Sequence, residues 1–286
     1  MTVIDVLDET GRERQLADQI TGMLEDTAEL VSDITALSPP AVLRFRLLSP
    51  SAWRAESLAY IRRQVEASFA RSSPSSGEEA EARKTEITYR ASTLASWWMT
   101  EGRTMLDSAG EPQSLVAPKA LHHTGLRYAG NHLYRLVVHE AVHQWQIASS
   151  SPAIMPVPVL DRDLTAPHQG LIYLAEGHAD WVVQEVARRL FGPDTAPAAD
   201  LRRSWRYRGQ TALIKWMARR VANADAVERT ETQIQDLRGQ GLHWVALAVE
   251  GAGGVIPFNK VWQDASYVPT ADEVAYPERW LSRVGF

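Results

Sequence analysis

The chain has no cysteine. That absence excludes disulfides and thiolate metal ligands, so any bound metal must be held by His, Asp or Glu. Strong charge bias is also missing. Thirty Lys and Arg stand against 35 Asp and Glu, for a net charge of −5. No basic run or stripe offers the phosphate-neutralising surface that nucleic-acid binding needs. No apolar run reaches the roughly 20 residues of a membrane-spanning helix. The stretch MTVIDVLDETGRER is acidic and polar and lacks a positive segment followed by an apolar one, so no secretory signal is expected. A cytoplasmic location is expected, with neither nucleic acid nor membrane as partner.

What is present suits a sizeable core: 286 residues, 45% hydrophobic, with ten tryptophans. We read 1–286 as a single domain. Residues 13–37 carry a helical apolar period that Pro39 and Pro40 end. A second helix is expected over 49–70. The Ser-rich, acidic segment 71–84 reads as a mobile surface loop, and 87–99 fits helix or strand. Turn signals at Gly110 and Pro112 predict a short hairpin over 102–118. Asn131 is the expected N-cap of a helix to about Ser149, and the prolines of 149–160 break it. A further helix spans about 170–190, with Gly192-Pro193 as its stop. Two more are expected over 199–222 and 229–250, with a break at 250–254. Thr270 and Glu273 form a capping box, and Pro277 opens a last short helix ending near Val284. The expected fold is mainly α (α+β), a helical domain with a small sheet or hairpin near the site described next.

The stretch LVVHEAVHQWQ (136–146) places His139, Glu140 and His143 in the order H-E-x-x-H. Helix positions four apart lie about 40° apart, so both imidazoles can point at one ion. Glu140 flanks that ion without binding it, and from there it can deprotonate a water on zinc. Catalytic zinc takes three protein ligands and keeps one position open. The candidate third ligand is Glu176 in LIYLAEGHADWVVQEV (171–186). Asp180, four residues on, can reach past it to a ligand histidine and fix its tautomer. Both polar pairs sit among apolar residues, where unpaired charge is costly. Gly177 in the middle of that helix calls for a close helix–helix approach at the metal. His178 points elsewhere on the helix and reads as an outer or cleft residue. His122, His123, His132, His168 and His243 have no ligand spacing; of these, His243 could enter the cleft.

These stretches resemble the bacterial zincin-like metallopeptidases, many of them labelled as associated with biosynthesis of a deazaflavin coenzyme. The resemblance covers LVAPKALHHTGL and HLYRLVVHEAVHQWQ within 115–146, YLAEGHADWVVQEV (173–186) and GAGGVIPFNKVWQDASYVPTADEVAYPERWLSRV (251–284). It implies a mostly helical zincin-like, gluzincin-like fold, His139, His143 and Glu176 as metal ligands, and Glu140 as base. The chain departs from the family at GRTMLDS (102–108), where a Gly-Gln-Tyr-Asp-like element is expected. It also departs at LRRSWRYRGQ (201–210), which only loosely matches Tyr-x-x-Gly. Both departures concern the substrate side.

The expected activity is a zinc-dependent metallohydrolase, a peptidase acting on a peptide or protein substrate. Glu140 takes a proton and passes it to the leaving amine. Tyr207, Tyr173, His178 and His243 are candidate oxyanion donors, Tyr207 first. The competing expectation is a metal-stabilised interaction or scaffold protein with a dormant site. Glu140 discriminates, because a structural site is closed by four protein ligands and has no use for a base.

Overall fold

The computed structural model describes residues 2–71, 75–156, 169–192, 201, 203–212 and 239–286. In β2 (Val42–Leu47) the sequence VLRFRL alternates: Leu43, Phe45 and Leu47 are buried, and Val42, Arg44 and Arg46 half-buried. That period of two suits a strand with one face in a core. β1 (Val3–Asp8) pairs parallel with β2, which pairs parallel with β4 (Pro112–Val116). β3 (Gly102–Leu106) runs antiparallel to β4 and forms the outer strand of the order β1-β2-β4-β3. The expected hairpin is thus present, with Gly110 at φ 86 in its turn. β1 and β2 were not anticipated. Each has only six residues, too few for alternation to stand out beside the long period of the helix that joins them.

That helix, α1 (Arg14–Thr35), makes the crossover of the β1–β2 unit. With α5 (Gly130–Ser149) it covers one sheet face, where Leu16, Ile20, Leu24 and Val137 share a core with Leu43, Phe45 and Val116. The other face holds a second core. There Met105 and Leu115 meet Trp53, Tyr60 and Ile61 of α2 (Pro50–Arg71) and Ala82 of α3 (Ser76–Ser96). The loop expected over 71–84 is therefore helical from Ser76. Its run EEAEARK is built of strong helix formers, which outweigh the Ser-rich start. Residues 87–96 continue that helix, and Trp97–Met99 form a 3-10 turn.

After β4 come α4 (Pro118–Thr124) and then α5. Asn131 does not cap α5. The helix starts at Gly130 behind Ala129 with no side-chain cap, so Asn131 already lies in its first turn. α6 (Gln169–Phe191) packs against α5 and ends at Gly192, φ 87, whose N–H donates to Arg188 O at 3.1 Å. Of the helices expected over 199–222 and 229–250, residues 205–212 (α7) and 239–250 are helical, and the intervening 213–238 lie outside the described residues.

α8 (Gly239–Gly251) accounts for Gly177: a Cβ there would collide with the main chain of Gly241. The close approach is thus between α6 and α8, which carries none of the candidate metal ligands, and not at the metal, where the sequence predicts it. α9 (Val255–Phe258), α10 (Ala271–Ala275) and α11 (Pro277–Val284) complete the C-terminal buttress, with the expected capping box on Thr270 and Glu273. Trp244, Phe258, Trp262 and Trp280 fill the space beneath it. Among the described residues no single helix is long and apolar enough to cross a membrane.

Candidate metal centre

α5 and α6 lie antiparallel, and facing residues meet at several levels along the pair. Gln146 Nε2 donates to Ala175 O at 2.9 Å, His139 Nδ1 meets Asp180 Oδ1 at 2.9 Å, and Tyr134 sits edge-on to Phe191. Between the first two of these levels, His143 faces Glu176. His139 Nε2 and His143 Nε2 are 3.1 Å apart; Glu176 carboxylate oxygens lie 3.4 Å from the first and 3.7 Å from the second. In a tetrahedral zinc site with bonds of about 2.0–2.1 Å, donor atoms stand about 3.4 Å from one another. His139, His143 and Glu176 therefore could hold a metal ion, and their donor set fits zinc.

Both histidine tautomers are set from behind. The Asp180 carboxylate accepts from His139 Nδ1, leaving Nε2 to face the group. Gln146 does the same for His143. Its amide nitrogen is committed to Ala175 O, so its Oε1 accepts from His143 Nδ1 at 2.7 Å. The Asp180 contact is the one expected from the sequence. Gln146 was missed, although its i+3 spacing from His143 puts it on the same face.

His178 stands one step further out, with Nδ1 3.1 Å from Gln146 Nε2. It is fully buried among Trp181, Phe258 and Trp262. Burial, helped by the charge of His143, pushes its pKa down to about 3, so it is neutral. Around His139 the balance is opposite. Burial acts to lower its pKa, but the hydrogen bonds and charges of Asp180 and Glu176 outweigh it and hold the ring up at about 10. A buried imidazole that prefers to be charged marks a site with excess negative potential, suited to a cation.

Glu140 is buried beside this group but is not part of it. Thr104 of β3 donates to Glu140 Oε2 at 2.6 Å. Ser114, the cross-strand partner of Thr104, lies 2.8 Å behind it and accepts from Gln144 Nε2 at 2.7 Å. Gln144 in turn bonds both main-chain groups of Arg44, at 3.1 and 2.8 Å, just before β4 begins to pair with β2. Gly102 makes room for the carboxylate, since a Cβ there would stand 2.9 Å from Glu140 Cγ. Thr104, Ser114 and Gln144 have no motif spacing and were not legible from the sequence.

Two cavities open on the site. One of about 710 Å³ is lined by His139, Glu140 and Asp180 with Glu101, His132, Arg135 and Gln184. The other, of about 280 Å³, is lined by His139, Glu140, His143 and Glu176 with Tyr60 and Gly102–Thr104. His132, expected to be an ordinary residue, thus borders the site. Tyr207 borders neither cavity. It packs edge-on against Trp98 with Arg203 over its ring. Tyr173 and the exposed His243 also lie off the cavity walls; Tyr60, not considered from the sequence, lies on one.

Fold and site together define a helical α+β protein with a two-histidine, one-carboxylate group able to hold a metal. A family model described as zincin-like metallopeptidase matches residues 162–281. That span contains Glu176, His178 and Asp180 and the tryptophan buttress, and it begins downstream of His139 and His143. No curated protein and no solved structure matches the chain.

Removing either outer partner tests the tautomer argument. Asp180→Ala and Gln146→Leu are each expected to weaken zinc binding by about 10- to 100-fold. Competition with a chelating dye measures this, and unchanged affinity in both variants would show that neither group orients its histidine.

Proposed function

We propose that the chain is a zinc-dependent hydrolase of the zincin-like metallopeptidase family and that it cleaves amide bonds in peptides. The observation that carries this reading is the position of Glu140: outside the His139–His143–Glu176 group, yet on the wall of both cavities that open on it. A structural site would use a fourth ligand there.

When bound, a zinc ion supplies Lewis-acid chemistry, polarising a carbonyl and acidifying a water molecule. Glu140 Oε1 takes the proton of the attacking water while Thr104 holds Oε2 in place. The same carboxyl then delivers the proton to the leaving nitrogen. Tyr60 replaces Tyr207 as the hydroxyl that steadies the developing negative charge, because it lines the cavity and Tyr207 does not. β3 orders the substrate. It is the outer strand, and its residues Gly102–Thr104 line the smaller cavity beside Glu140. An extended peptide pairing with that edge would lay its carbonyls past the metal group.

The test is a mixed peptide library incubated with zinc-loaded protein and with the same protein stripped by chelator, read by mass spectrometry. Cleavage that needs zinc and returns on its re-addition is expected. Absence of any cleaved peptide with protein verified as zinc-loaded counts against the reading.

A further inference from the structure

The ladder between α5 and α6 continues past the metal group. Glu176 faces His143 and Asp180 faces His139, so the next turn sets Gln184 opposite Arg135. Both side chains line the larger cavity together with His139, Glu140 and Asp180. Among the described residues neither Arg135 nor Gln184 has a side-chain hydrogen bond or ion pair. Arg135 is nevertheless half-buried, with Leu126, Leu136 and Val183 on the same cavity wall. A guanidinium held in such a place with no ion pair is a donor set awaiting an acceptor, and its planar fork matches a carboxylate.

Position narrows the ligand. Arg135 lies one helical turn, about 6 Å along α5, from His139. Successive residues of an extended peptide are spaced about 3.4 Å apart. A carboxylate bound at Arg135 would therefore sit one or two residues from a bond held at the metal group. Charge points the same way. In the larger cavity the acidic lining residues are Glu101, Glu140 and Asp180, and Arg135 supplies the guanidinium, so an anionic group in that cavity is best accommodated at the Arg135 end.

We propose that Arg135, with the Gln184 amide beside it, binds a carboxylate of the substrate close to the scissile bond. This rests on the hydrolase reading and adds the substrate class: peptides that carry a carboxylate next to the cleaved bond. The carboxylate is either the C-terminus of the substrate peptide or an Asp or Glu side chain within it.

Binding of small hydroxamates to the zinc-loaded protein tests this without turnover. Acetohydroxamate reports the metal alone. The monohydroxamate of succinic acid adds a carboxylate, and its primary-amide counterpart is the neutral control. In wild type the acid is expected to bind about tenfold or more tighter than the amide, the scale of a charge-assisted bidentate contact. In Arg135→Gln the ratio should fall to near one while acetohydroxamate still binds. Equal affinity for acid and amide in wild type, or a preference that survives Arg135→Gln, overturns the carboxylate site and leaves the hydrolase reading standing. Failure of zinc-loaded protein to bind any hydroxamate removes both. Competition by free-acid peptides against their C-terminal amides, and by Asp or Glu peptides against Asn or Gln ones, then assigns the source of the carboxylate.

Discussion

Replacing His143 with alanine is expected to abolish zinc binding while leaving the helical fold in place. The side chain contributes one of three donors, with Nε2 3.1 Å from His139 Nε2 and 3.7 Å from the Glu176 carboxylate. Without it only two ligands remain, fewer than a catalytic zinc site uses. The loss should exceed the roughly 10- to 100-fold that an outer partner costs, enough to leave the protein metal-free at micromolar zinc. The fold should survive because α5 is anchored elsewhere, by buried Val137, Val138, Ala141 and Trp145 against the core and by Gln144 against the sheet. Metal analysis after dialysis, with far-ultraviolet circular dichroism as the folding control, makes the measurement. A well-folded His143→Ala protein that retains one zinc per chain would refute the assignment of the group.

Glu140→Gln is expected to leave zinc content near that of wild type and to lower turnover by about 100-fold or more, the usual cost of losing a general base. The substitution keeps the side-chain shape, and its amide oxygen can still accept from Thr104. What disappears is the ability to take a proton from water at neutral pH. Since Glu140 lies outside the donor group, metal retention and turnover separate in this variant. Equal cleavage of a library peptide by both proteins would exclude Glu140 as the base. A protein that holds zinc and shows no turnover in either form would fit the dormant-scaffold expectation.

The juxtaposition of the candidate metal group was legible in the sequence because helical geometry converts spacing into direction. His139 and His143, and Glu176 and Asp180, are four apart on single helices, and the His139–Asp180 hydrogen bond follows from that spacing once the helices face each other. Gln146 could have been found from its i+3 spacing to His143, but the groups that orient Glu140 were not legible. Thr104 and Ser114 reach Glu140 only through strand register, which two five-residue strands do not announce. Gln144 acts through main-chain atoms 100 residues away. Tyr207 lies in a segment loosely like the family pattern, which makes it the first candidate, but packing against Trp98 turns it to another use. The α3 helix was hidden by serine-rich composition, which signals loops only when helix formers do not follow.

The Thr104–Ser114–Gln144 chain has a consequence for how the protein would fail under mild denaturation. The three candidate metal donors belong to a two-helix unit, α5 and α6, whereas the orientation of Glu140 depends on the outer strand β3, which among the described residues has a neighbour on one side only. Outer strands fray at lower free energy than packed helix pairs. Loss of β3 order would release the carboxylate while the two histidines and Glu176 stayed assembled. Inactivation would then precede demetallation, and a bound zinc ion would be a poor proxy for a competent enzyme.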